Sequence, residues 1–175
     1  SIAAGKTLAA LQGVIGTKPR LVRVMPNLAL SVGEGMSVFC AAENVTEDDK
    51  DAAMELFGAA GAVLELPEQN FDAVTALSGS GPAFVAYVLQ AMIKAAVALG
   101  LPEEDARLLA EQTLIGTAVH LQTTGDDIGE FIQAVASPKG TTAAGLAVLE
   151  ASDVSAVIDQ TLAAAAVRSR ELSKA

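Results

Sequence analysis

The sequence predicts a short α/β segment followed by an all-helical one, and three observations carry that reading. Up to Leu66 the apolar residues come in short β-type runs bounded by Gly or Pro. Beyond Pro67 they recur at helical spacing. Throughout, the core-forming residues are small: Ala occupies 35 of the 175 positions, aromatic residues make up 3 % and Trp is absent. Such a composition favours helices that approach one another closely. Apolar residues at 51 % exclude a disordered chain.

The elements follow in order. Strands are expected over Leu21–Met25, Met36–Cys40 and Ala62–Leu66. One helix lies between the second and third. Thr46 with Asp49 three residues on reads as a capping box, Ala53, Met54, Phe57 and Ala60 form the apolar stripe, and Gly61 stands at the far end. Three strands are too few to close a sheet by themselves, so residues 1–66 read as part of an α/β domain and 67–175 as a helical one.

In the second part helices are expected over 69–78, 82–99, 103–123, 126–136, 141–151 and 153–172. Pro102 followed by Glu103, Glu104 and Asp105 is a favourable helix start, with acids at the positive end of the dipole. Ile128, Phe131, Ile132 and Val135 keep i, i+3, i+4, i+7 spacing. Asp153 is expected to cap a last helix with the stripe Val154, Val157, Ile158, Leu162 and Ala165, and with Arg168 and Arg170 in its final turn. The helix over 82–99 is apolar nearly all round, so a single neighbour cannot cover it. Burial against a second copy of the chain, a homodimer, is the favoured solution; a central helix surrounded by its own five neighbours is the other. Gln90 and Lys94 interrupt this stretch and mark it for burial in protein rather than lipid.

Charge and composition exclude several functions. Eleven Lys+Arg against 21 Asp+Glu give a net charge of −10, and the scattered cations argue against nucleic acid. The one cysteine, Cys40, cannot make an internal disulfide, which suits a reducing compartment. No basic-then-apolar leader is expected at the front. A soluble, acidic, cytoplasmic protein without membrane association is the expectation. The single histidine, His120, and the single cysteine leave no His-rich or Cys-rich metal site, and His120 reads as a surface or packing residue late in a helix. Ser78-Gly79-Ser80-Gly81 is no nucleophile elbow, because Ser78 takes the place of the first Gly. Neither a phosphate loop nor the Gly-x-Gly-x-x-Gly dinucleotide fingerprint is present in the chain.

Three polar segments ask for more than packing. Arg23-Val24-Met25-Pro26-Asn27 is a strand that ends in a Pro-Asn turn, where strand ends serve a ligand crevice. Leu77 to Pro82 sets two glycines and two hydroxyls between helices, allowing close backbone approach to another helix or to a ligand. Ala136-Ser137-Pro138-Lys139-Gly140-Thr141-Thr142 opens a helix, whose free N–H groups and hydroxyls suit a small carboxylate.

Together these segments resemble the pyrroline-5-carboxylate reductase family. The resemblance runs along essentially the whole chain: Ser1 to Gly5, Arg23 to Asn27, Asp72 to Ala83 with its Ala-Leu-Ser-Gly-Ser-Gly-Pro-Ala string, and Ser137 to Thr142. It implies a remnant of a Rossmann-type dinucleotide-binding domain followed by a helical dimerisation domain, the family's glycine-rich first turn lying ahead of Ser1. The implied activity is reduction of 1-pyrroline-5-carboxylate to L-proline by hydride transfer from NADPH or NADH. Residue by residue, Ile2, Ala3, Ala4 and Met25 match cofactor contacts, and Asn27 matches the crevice wall at the substrate. Glu68, Ser137, Gly140, Thr141 and Thr142 match the substrate site, with the Thr142 hydroxyl near the ring nitrogen as the catalytic group. Lys139 stands where the family usually has Gly, and Ala134 where some members carry a cofactor-touching Asn. The family also implies a homodimer of interleaved helical domains and, in many members, a pentamer of dimers. Two other readings are a helical assembly module without activity, and another nicotinamide-dependent dehydrogenase with a helical dimerisation domain, for which Lys94 is the one candidate catalytic lysine inside a long helix.

Overall fold

A computed structural model describes residues 1–174, which pack as two compact units: 1–83 with 159–174, and 84–158. The first holds helix α1 (Leu8–Ile15), strands β1 (Val22–Met25), β2 (Gly35–Ala41) and β3 (Gly61–Glu65), and helix α2 (Glu47–Gly58). The three strands fall where the Gly- and Pro-bounded runs predict them. β2 is central: it pairs antiparallel with β1, Met25 opposite Val38, and parallel with β3, Phe39 opposite Glu65. Val38 and Cys40 of its one face build a core with Phe71 and Val74, against which Leu8, Met25, Met36 and Leu66 pack.

Two glycines set the β2–β3 spacing. Gly61 has φ +142°, and a Cβ there would run into the Gly35 backbone. Gly61 therefore opens β3 and does not close α2, as the sequence suggested; α2 ends through Ala59, whose N–H donates to the Glu55 carbonyl. The expected capping box is present in full, Thr46 and Asp49 each accepting from the other's backbone N–H. Two elements escaped the sequence reading: α1, and a 3-10 helix over Leu28–Val32.

The expected helix over 69–78 is three successive pieces, a 3-10 turn (Glu68–Asn70), one turn of α-helix (α3, Phe71–Val74) and a π-helical turn (Thr75–Gly79). The Ser80 N–H reaches back five residues to the Thr75 carbonyl at 2.8 Å, while the Thr75 and Ser78 hydroxyls donate to the Phe71 and Val74 carbonyls. Hydroxyls that bond backbone carbonyls in this way compete with the regular α ladder. The carboxyl half of α8 (Val154–Leu172) joins this unit through Asp72, which accepts from Ser169 Oγ at 2.8 Å and Arg170 Nε at 3.3 Å.

The second unit takes most of α4 (Gly81–Ala98), then α5 (Glu103–Thr124), α6 (Ile128–Val135), α7 (Thr141–Glu150) and the start of α8. α5 carries its three acids in the first turn and ends on Gly125 in the left-handed region at φ +69°. α6 is capped by Asp127, whose Oδ1 accepts from Gly129 and Glu130. Asp153 stands at the cap position of α8, its carbonyl accepting the Val157 N–H at 3.0 Å. No residue of α4 is buried within the chain, and Val85, Tyr87, Val88 and Met92 are exposed. The chain's own helices thus cover α4 only in part. By length and composition the helical run 68–98 could cross a membrane.

Candidate active site

The first unit gathers five of the expected residues at one sheet edge. Ser1 pairs with β1 in parallel fashion: its N–H donates to the Val22 carbonyl at 2.7 Å and its carbonyl accepts the Val24 N–H at 2.8 Å. The chain leaving Ser1 therefore runs beside β1 and out at the same carboxyl end. Ile2, Ala3 and Ala4 are exposed there, and Met25 and Asn27 follow from β1. Carboxyl ends of adjacent parallel strands are where open α/β sheets hold a ligand.

Asn27 is tied into the backbone. Its Oδ1 accepts from Ala29 N at 3.2 Å and from Met36 N at 3.1 Å, capping the 3-10 helix and fixing the end of β1 to the start of β2. Met25 is held from the other side by the π turn, for a Cβ on Gly79 would stand 2.7 Å from the Met25 methyl. Of the two alternatives for the Gly79 approach, helix or ligand, the neighbour is a side chain of β1.

Glu68 does not join this edge. β3 leaves the sheet beside Phe39, whose strand reaches the opposite end of β1 at Val22–Ala41. There Glu68 Oε1 accepts from Arg23 Nη1 at 2.8 Å and from the Leu8 N–H at 2.7 Å. Arg23 is 6 % exposed, and its guanidinium lies over the Phe71 ring at 4.5 Å from the centroid. A buried guanidinium needs both a carboxylate and an apolar or π surface to offset lost hydration. Burial pushes the neighbouring Cys40 thiol up to about 11, the negative charge of Glu68 adding to the effect.

The second unit holds the loop expected to take a carboxylate. The Gly140 N–H donates to the Ser137 carbonyl at 2.9 Å, closing a tight turn. Gly140 has no room for a Cβ because the Ser137 side chain occupies that place. Lys139 is exposed and left-handed at φ +61°, the one non-glycine residue with positive φ among the described residues. Thr7, Thr46 and Asp127 cap α1, α2 and α6, whereas no side chain caps α7. Its first N–H groups are thus free to meet an anion. Thr141 is exposed and Thr142 half-buried in its first turn.

The remaining candidates have local roles. His120 Nε2 lies 3.1 Å from Asp126 Oδ2 and its ring packs on Phe131, centroids 4.9 Å apart. Lys94 is exposed, its Nζ 3.4 Å from Gln90 Oε1. Among the described residues no group of three or more His, Cys, Asp or Glu could hold a metal ion.

A sheet edge with parallel strand ends, followed by helices, defines a partial Rossmann-type domain joined to a helical domain. Residues 68–172 match the family described as pyrroline-5-carboxylate reductase dimerisation. Among curated proteins, the chain is 45 % identical to the pyrroline-5-carboxylate reductase of Arabidopsis thaliana over 99 % of its own length and 63 % of that protein's. It is 42 % identical to that of Methanosarcina acetivorans over 99 % and 64 %. The solved pyrroline-5-carboxylate reductase of Coxiella burnetii superposes with a TM-score of 0.96 at 38 % identity, over 100 % of this chain and 65 % of that one. The Plasmodium falciparum pyrroline carboxylate reductase, solved with NADP bound, gives 0.91 at 31 % identity, over 99 % and 70 %. The chain belongs to the pyrroline-5-carboxylate reductase family. It spans a little under two thirds of the length of the first two of these relatives.

Proposed function

We propose that this chain is the substrate-binding and dimer-forming portion of an enzyme that reduces 1-pyrroline-5-carboxylate to L-proline, the last step of proline biosynthesis. The observation that carries the reading is the uncapped amino end of α7, preceded by the tight Ser137–Gly140 turn and followed by Thr141 and Thr142. The substrate's carboxylate is received by the free N–H groups at Thr141 and Thr142, with the Ser137–Gly140 turn shaping the approach. The Thr142 hydroxyl is directed to the ring nitrogen, where it holds the imine in its reactive orientation.

NADPH or NADH is the cofactor of this reading, and the exposed strand end Ile2–Ala4 with Met25 is its nicotinamide side. When bound, the cofactor supplies a hydride to the imine carbon. The chain's own part is positioning: Asn27 fixes the crevice wall, and the helix amino end holds the carboxylate. A protonated imine is already electrophilic, so orientation supplies much of the acceleration without a histidine. The division of the chain at Pro67, between a cofactor part and a substrate and dimer part, belongs to the same reading; the family match beginning at Glu68 supports it.

The quaternary reading is a homodimer closing over α4, with a pentamer of dimers as the larger assembly, in the cytoplasm. The exposed apolar side chains of α4 and its groove of about 350 Å³ against α5, lined by Val88, Met92, Ala110, Leu114 and Ile158, support a protein partner. The same groove favours the second reading, an assembly module that is inactive alone. The reading with a catalytic Lys94 has less support, since Lys94 is exposed.

Oxidation of reduced nicotinamide in the presence of pyrroline-5-carboxylate tests the proposal, on the chain itself and on the chain joined behind the amino-terminal portion its relatives carry. Substrate-dependent oxidation by the joined protein is expected. Its absence from a folded, cofactor-binding protein would overturn the reductase. In the active protein Thr142→Ala is expected to raise KM or lower kcat while the dimer persists.

A further inference from the structure

Glu68 accepts two hydrogen bonds on one oxygen, and their donors lie far apart in the chain: Arg23 Nη1 from β1 and the Leu8 N–H from the first turn of α1. Arg23 is itself fixed, buried and stacked on Phe71. The carboxylate therefore joins a rigid strand to the start of a helix, and the segment ahead of that helix is the Ile2–Ala4 strand end. That segment has a fixed front, because Ser1 is paired with Val22 and Val24. Between the two anchors Gly5 turns at φ +70° against Leu172, where a Cβ would come within 3.2 Å of the Leu172 Cβ. Glu68 thus supplies the rear anchor of a short exposed loop. Charge-assisted bonds of this kind are the stronger class, and the fixed guanidinium keeps the carboxylate aimed.

We propose that Glu68 is a positioning residue: through Leu8 it fixes the amino end of α1, and so holds Ile2–Ala4 in place for the dinucleotide. This rests on the reading above that Ile2–Ala4 meet the nicotinamide. It differs from a direct contact with the substrate in what fails when Glu68 is changed.

The test compares Glu68→Gln, Glu68→Asp, Leu8→Pro and Leu8→Ala in the joined, active protein. Leu8 is the first helical residue, where Pro is tolerated, and Thr7 before it has the extended backbone (φ −76°, ψ 162°) that Pro requires. Leu8→Pro deletes the N–H and the leucine side chain, whereas Leu8→Ala deletes the side chain alone. Glu68→Gln and Leu8→Pro are expected to raise KM for NADPH about tenfold, the loss of one charge-assisted hydrogen bond, with KM for pyrroline-5-carboxylate unchanged. Leu8→Ala keeps the wild-type KM for NADPH, and Glu68→Asp recovers part of the loss. Amide exchange at Leu8, measured on this chain, is expected to quicken about tenfold in Glu68→Gln. A rise in KM for pyrroline-5-carboxylate alone, equal behaviour of Leu8→Pro and Leu8→Ala, or unchanged exchange at Leu8 would each overturn the proposal. A wild-type protein without oxidation overturns the reductase reading instead, and Leu8 exchange still decides whether the anchor exists.

Discussion

The methyl group of Met25 lies 2.7 Å from the point where a Cβ on Gly79 would stand. This approach is the structural use of the second glycine-rich string: the π turn brings Gly79 against the last residue of β1, and the missing side chain lets Met25 occupy the space. Gly79→Ala is expected to displace the flexible thioether rather than the backbone. The cost is then on the order of 1 kcal/mol, at the low end for overpacking. In the active protein it raises KM for NADPH while substrate KM holds. Thermal unfolding and steady-state kinetics check this, and combining it with Met25→Ala should restore most of the stability lost to the clash.

Lys139 is held at φ +61°, where an L side chain meets the following carbonyl. The left-handed conformation costs such a residue about 1–2 kcal/mol, part of which Gly returns through its freer unfolded chain. Lys139→Gly is expected to raise the melting temperature by about 1–3 °C. Lys139→Pro, which needs a negative φ, is expected to lower it. Calorimetry of the two variants decides whether the strain is present.

Cys40 is 5 % exposed and its pKa is raised to about 11, by burial first and then by Glu68. The native state keeps its proton where the unfolded chain, with its ordinary value of 9.0, releases it. Stability from this group is therefore complete below pH 9 and falls as pH rises from 9 towards 11. The thiol should resist a disulfide reagent at pH 8 and react on unfolding. Rapid labelling of native protein would contradict its burial, and Cys40→Ser tests whether the alkaline slope belongs to it.

Met92 is half exposed on α4 and lines the groove against α5. If a second copy covers that groove, Met92→Asp puts an unpaired carboxylate in a desolvated interface, at a cost of several kcal/mol. Sedimentation velocity is expected to give a dimer for the unmodified chain and a monomer for the variant. A monomer in both, at tens of micromolar on the scale of ordinary homodimers, would leave α4 without a partner of its own kind.

Much of the fold was legible because its signals are local. β1, β2 and β3 lie between glycines and prolines, and α2 is announced by Thr46 and Asp49. α1 lacks charge signals: Leu8–Ile15 has no acids in its first turn and no basic residue in its last, and only Thr7 and Gly16 at its caps mark it. In the sequence Gly61 reads as the stop of the helix before it, because sequence order cannot tell a helix stop from a strand that must pass close to Gly35. The helix expected over 69–78 hid a π turn, since the Thr75 and Ser78 hydroxyls that bond the backbone leave the apolar spacing unchanged.

The sequence by itself determined the order of the strands and the longer helices, the family, and the polar strings from Arg23 to Asn27, Leu77 to Pro82 and Ser137 to Thr142. Each of these is written in a few consecutive residues whose backbone preferences act over one or two turns of chain. Only the tertiary structure decided what those residues touch. Arg23 and Glu68 are 45 positions apart and Leu8 and Glu68 are 60 apart, yet one carboxylate oxygen serves both. That meeting depends on β2 running antiparallel to β1 and parallel to β3, and strand register is set by the packing of whole faces rather than by any local run of residues.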